Sequence, residues 1–198
     1  MRLRSFHLGL TAAMLLVLPG CWWLGAGLRP IAGSRLGAWG LERLGVVNFT
    51  DATYQGVGPR VAGLFAQALA GALGAGRVVW VVTSAPDVGL LGVGQARRLG
   101  GAHRLDGLVT GRVLAHSVTA PQAEARVVVG VRLLDANRGS IIWSLTVAGR
   151  AGVPDARTPE AGLELAAARA AKELIDDLLA PPPDAGGLAG LAAHRGSR

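Results

Sequence analysis

The sequence predicts an α/β fold of α+β character: one mixed sheet in the element order β-α-β-α-β-β-β-α, with helices packed on it and an antiparallel meander towards the C-terminus. Three observations carry this. Two short apolar runs, 44–49 and 77–82, flank a segment of helical period, the pattern of a buried parallel β-α-β unit. Three longer runs between 109 and 147 alternate apolar and polar residues, as strands with one buried face do. A last segment, 158–178, returns to the helical period and stops at Pro181-Pro182-Pro183.

Before the first strand the chain reads as a leader and a linker. Arg2 and Arg4 make a positive start, 8–18 an apolar stretch, and Leu18-Pro19-Gly20-Cys21 places a small residue before the only cysteine of the 198-residue chain. This tetrapeptide resembles a lipobox, with Leu18, Gly20 and Cys21 matching the pattern and Pro19 departing at its most tolerant place. The resemblance implies a signal peptide over 1–20, cleavage before Cys21, diacylglycerol on its sulfur and a fatty acyl chain such as palmitate on its new amino terminus. Two or more acyl chains make membrane attachment effectively permanent, at about 0.8 kcal/mol per buried methylene. Trp22 in place of aspartate after the cysteine implies release to the outer membrane, on its periplasmic face. A rival stays open: residues 8–28 are almost uncharged and long enough to span a bilayer as an uncleaved anchor.

Residues 21–43 are rich in Gly, Leu and Arg without a clean period and read as a lipidated linker. Its roughly 22 residues after Cys21 reach at most about 80 Å when fully extended. The domain is then expected over 44–180. Its first strand ends at Thr50 and Asp51, and Gly56, Gly58 and Pro59 lead into the first helix. Val61, Leu64, Phe65, Ala68, Leu69, Ala72 and Leu73 form that helix's apolar stripe, ended by Gly74 and Gly76. After the second strand, 93–99 reads as a short helix stopped by Gly100 and Gly101. The meander follows, with short connections at 119–121 and 135–139, where Asn137 and Gly139 accept φ > 0. Thr158-Pro159-Glu160 starts the last helix with a capping hydroxyl, a proline at the first position and an acid in the first turn. Residues 181–198 form a Pro, Gly and Ala-rich tail that reads as disordered.

The formal charge is +7, and loss of Arg2 and Arg4 with the leader lowers it to +5. The arginines are scattered and aromatic residues are 5% of the chain, so the clustered basic and aromatic surface of a nucleic-acid binder is missing. A lone cysteine leaves no intramolecular disulfide. His103 and His116 have no metal-type spacing, and no phosphate-binding glycine loop or G-x-S-x-G elbow occurs. Asp51, Asp87 and Asp106 sit at strand or loop edges and read as turn or capping groups. No catalytic residue, cofactor or metal site is expected, and the chain reads as a non-enzyme.

In the strand order just derived, three stretches carry a resemblance to a superfamily of periplasmic domains. That superfamily includes curli-secretion lipoproteins, lipoprotein activators of penicillin-binding proteins and the N-terminal domain of the Tol-system propeller protein. Residues 45–51 are similar to their first strand, 105–113 to their strand with aspartate before and glycine within, and 131–144 to their hairpin with Asp135, Gly139 and Trp143. The resemblance implies a structural role for these residues: Asp135 and Gly139 in the turn, Trp143 in the core. It implies a non-enzymatic envelope protein that binds a protein partner in assembly, transport or secretion. The alternatives are an activator of a cell-wall synthase and a subunit of a curli-type export channel. The loops after Ala115 and Val147, about ten residues each, are short for the membrane hairpins of such a channel. The expected partner face is the polar side of the meander, with Arg112, Arg126 and Arg132; a solvated sheet face has the same pattern.

Overall fold

The computed structural model describes residues 31–83, 91–119, 124–152 and 158–182. The leader, Leu18, Pro19, Gly20, Cys21, Asp87 and the tail beyond Pro182 lie outside the described residues. No described helix is long and apolar enough to cross a membrane.

The elements are α1 (Arg35–Ala38), β1 (Leu44–Val47), β2 (Thr50–Asp51), α2 (Gly58–Leu73), β3 (Val78–Val81), α3 (Val93–His103), β4 (Gly107–Thr119), β5 (Glu124–Asp135), β6 (Ile141–Ala151) and α4 (Pro159–Leu178). They form one mixed sheet in the order β3-β1-β4-β5-β6, with β2 pairing β4 beyond the end of β1. β1 runs parallel to both β3 and β4, and the β4-β5-β6 meander is antiparallel. The α/β class and the element order read from the sequence are those of the structure, with α1 and β2 added.

Helices α2 and α4 cover one face. The alternation of β5 turns Ala125, Val127, Val129, Val131 and Leu133 into that layer, where they meet Phe65, Leu69, Leu174 and Leu178. Phe49 and Phe65 meet edge to face, 5.2 Å between centroids. The glycine within β4 has its reason here: a Cβ on Gly111 would lie 3.0 Å from the Phe49 ring. Small residues bring α4 down onto β6, since a Cβ on Gly149 would run into the Ala166 carbonyl. The start of α4 is as the sequence reads, with Ala161 N–H donating to Thr158 Oγ1 at 3.2 Å and Pro159 opening the helix.

Helix α3 covers a smaller part of the opposite face, over Val47, Val81, Leu105, Leu108 and Leu134. It does not stop at Gly100-Gly101 but runs to His103, ending on Arg104 in the left-handed region at φ 54°. Gly100 is a packing glycine, because a Cβ there would stand 2.8 Å from that of Ala136. Close approach and helix ending both favour glycine, and sequence cannot separate the two.

The linker reading of 21–43 also needs correction, from Ile31 onward. Ile31, Leu36 and Leu41 are buried in the main core. Arg35 N–H donates to the Ala180 carbonyl, and its guanidinium pairs with Asp177 at 2.6 Å. Gly and Leu-rich sequence without period masks such a strap, whose few apolar residues pack through loops and one helical turn.

Candidate partner-docking face

Away from α3, no described element covers the second face of β4, β5 and β6. The strand registers place Arg112 beside Gly130, Arg132 between Thr110 and Ser144, and Arg126 between Ser117 and Arg150. Arg112, Arg126 and Arg150 are exposed and Arg132 is half-buried. Arg126 and Arg132 are six residues apart on one strand, about 20 Å. Arg112 and Arg132 line one groove of about 970 Å³, whereas Arg126 lies beyond it. The sequence reading thus brings together two of its three arginines in one recess. It misses Arg150, because Gly149 and Ala151 give the end of β6 a weak apolar alternation.

The groove floor is made by small or hydroxyl residues, Thr110, Gly130, Ser144 and Thr146. Gly130 leaves room for Leu114, which occupies a bulge in β4 between Val113 and Ala115. The far wall is the loop between β2 and α2. Asp51 builds it: Oδ1 accepts from Thr53 N–H at 2.7 Å and from the Thr53 hydroxyl at 2.6 Å, and Oδ2 from Val57 N–H at 2.9 Å and Gln55 N–H at 3.2 Å. Partial burial pushes the Asp51 pKa up, but these hydrogen bonds outweigh it and hold the carboxyl below its usual range. On the rim, Tyr54 is 91% exposed and held at φ 59°. Thr50, whose buried Oγ1 has no hydrogen-bond partner among the described residues, lines the same recess.

The charges of this face are unbalanced. None of Arg112, Arg126, Arg132 and Arg150 has an ion-pair partner among the described residues, and Arg126 and Arg150 stand directly opposite each other. Like charges across a strand pair are mutually destabilising. Along the described parts of β4, β5 and β6, Glu124 at the start of β5 is the only carboxylate on this side. On the helical side three basic groups are matched: Arg35 with Asp177, Arg60 with Glu164 at 2.6 Å, and Lys172 with Asp176 at 2.5 Å. Asp106 is a structural group that accepts from the backbone N–H of Glu42 and Arg43. His103 is exposed on α3 and His116 is half-buried on β4. Among the described residues no three His, Cys, Asp or Glu side chains converge as a metal site would require.

No family model matches the chain, and no curated protein matches it. Among solved structures, it is similar to the PelC dodecamer from Paraburkholderia phytofirmans, with a TM-score of 0.53 and 18% identity over 70% of this chain and 89% of that one. A point variant of the same protein gives 0.52 and 19% over the same shares. Lipoprotein GNA1162 from Neisseria meningitidis gives 0.40 and 15%, over 77% of this chain and 98% of that one. At these identities the PelC likeness is one of fold.

Proposed function

We propose that the protein is a non-enzymatic, lipid-anchored component of the bacterial envelope that docks a protein partner on the bare face of its meander. The chain is held to the periplasmic face of the outer membrane by acyl groups on Cys21. The observation that carries the docking reading is the imbalance between the two faces. One is sealed by α2 and α4, with Arg35, Arg60 and Lys172 in ion pairs; the other keeps a groove of about 970 Å³ lined by Arg112 and Arg132, which have no ion-pair partner among the described residues.

The anchor can be checked by intact mass of the mature protein: a mass raised by acyl groups supports it, and a free thiol at Cys21 removes it. Docking is checked by capture from envelope extracts with wild type and with Arg112, Arg126 and Arg132 all changed to Glu. Loss of a partner that wild type retains is expected, and an unchanged partner set sinks the reading.

Packing from Ile31 leaves ten peptide steps after Cys21, a reach of at most about 36 Å. A lipid-held domain therefore works close to its membrane. That disfavours the alternative of a cell-wall synthase activator reaching across the wall layer, which stimulation of a purified synthase would restore.

A second reading, self-association, is supported by the fold likeness to a protein described as a dodecamer. It is supported also by the outer strand β3, where Trp80 is 49% exposed and the following Val82 70%. Light scattering of the full chain in detergent tests it, and a monomer at micromolar concentration removes it.

A further inference from the structure

We infer that the partner is recognised through an extended acidic segment, which follows the β6 margin of the groove and presents carboxylates to Arg132 and Arg112. This rests on the docking reading above and adds the chemistry of the occupant. Arg112 and Arg132 line the groove and neither has an ion-pair partner among the described residues, so an incoming carboxylate gains charge-assisted hydrogen bonds there. Asp51, the carboxylate that lines the same groove, is held by three backbone N–H groups and a hydroxyl and makes no ion pair with either arginine.

The edge of the sheet distinguishes a peptide from other polyanions. β6 is an outer strand, and in an antiparallel ladder every second residue turns its N–H and C=O outward. At one end of that edge the outward groups are taken by α4: Ala148 N–H donates to Glu173 Oε2 at 3.0 Å, and the Arg150 carbonyl accepts from Arg169 at 2.6 Å. The same alternation makes Ser144 and Thr146 the next outward residues, and no side chain caps them among the described residues. Both also line the groove. The helix therefore protects the edge as far as Ala148 and leaves it bare where the groove opens onto it.

A backbone laid along that bare stretch pairs with the Ser144 and Thr146 amides and carbonyls, as strand addition requires. Its side chains on the groove side overlie small residues. Across Ser144 lies Arg132, and across Thr146 and the side-chain-free Gly130 lies Arg112. A carboxylate at alternate positions matches this spacing. A sugar polyanion or a lipid surface gains the charge contacts but has no strand-spaced amides to offer the edge.

The test uses the full chain purified in detergent and a fluorescent peptide of about eight alternating Glu and Val residues, long enough to cover the bare edge. Binding that weakens about tenfold in Arg112→Glu/Arg132→Glu is expected, with Arg97→Glu/Arg98→Glu on α3 as a control that leaves it unchanged. Thr146→Pro removes an outward N–H and is expected to weaken binding without altering the thermal transition of the chain. Equal binding of the Lys and Val analogue, no binding, or indifference to the charge reversal overturns the inference. So does tighter binding of polyuronate or of anionic phospholipid vesicles than of the peptide. If partner capture depends on the three arginines while the peptide result fails, docking stands and its acidic character falls; if capture fails as well, both fall.

Discussion

The two faces of the sheet are made from the same strands and have opposite fates. On the α2 and α4 side, alternate residues of β5 are buried to within 1% of complete, and Arg35, Arg60 and Lys172 have carboxylate partners. On the other side, past α3, the intervening residues of β5 include arginine, valine and glycine, and the arginines have no ion-pair partner among the described residues. The period of two sorts residues between the faces; the number and placement of helices decides which face is sealed. With α3 occupied over β1 and the start of β4, nothing in the described chain remains to cover the upper meander.

That contrast predicts a graded response to mutation. The largest effect belongs to the sealed face: Phe65→Ala removes a fully buried ring in edge contact with Phe49 and should cost about 3 to 5 kcal/mol in denaturant unfolding. Gly149→Val, which drives a side chain into the α4 backbone at Ala166, should cost about 3 kcal/mol or more, and a neutral result would mean that α4 does not sit against β6 as described.

Asp51→Ala, at the border of the open face, should cost about 1 to 2 kcal/mol through loss of the groups that hold the groove wall. Because the Asp51 pKa is lowered on folding, its contribution is complete above the usual carboxylate range and disappears as pH falls through the lowered value. The difference in stability between wild type and Asp51→Asn should therefore shrink on acidification and not on alkalinisation.

The smallest effect belongs to the open face and has the opposite sign. Arg150→Glu replaces a like-charge pair with Arg126 by an opposite one and should stabilise by about 0.2 to 1 kcal/mol. A loss of stability there would show that the arginines are held by something within the chain, which would weaken the case for a partner.

The sequence made the covered half of the molecule legible because burial leaves a period. The stripe from Val61 to Leu73, the alternation in β5 and the Thr158-Pro159 helix start each have a local physical cause that sequence displays directly. Arg112, Arg126 and Arg132 were legible for the same reason, as the residues out of phase with the buried set. The groove was not, because it depends on β2 pairing with β4 and on the Asp51-capped loop that raises one wall, both set by long-range contacts. Tyr54 shows no pattern that marks it as a rim residue. Arg35 and Leu36 look like linker until α4 is folded against them, and Gly100 looks like a stop until Ala136 is placed beneath it.

On the docking reading it is the bare face, and not the helical face, that meets a partner. Site-specific photocrosslinking in intact cells tests it most directly, with the photoreactive residue at Ser144 or Thr146 on one face and at Lys172 on the other. A discrete adduct from Ser144 and Thr146, lost when Arg112 and Arg132 are changed to Glu, and none from Lys172, is expected. Adducts from Lys172 alone, or none from the groove, would contradict it.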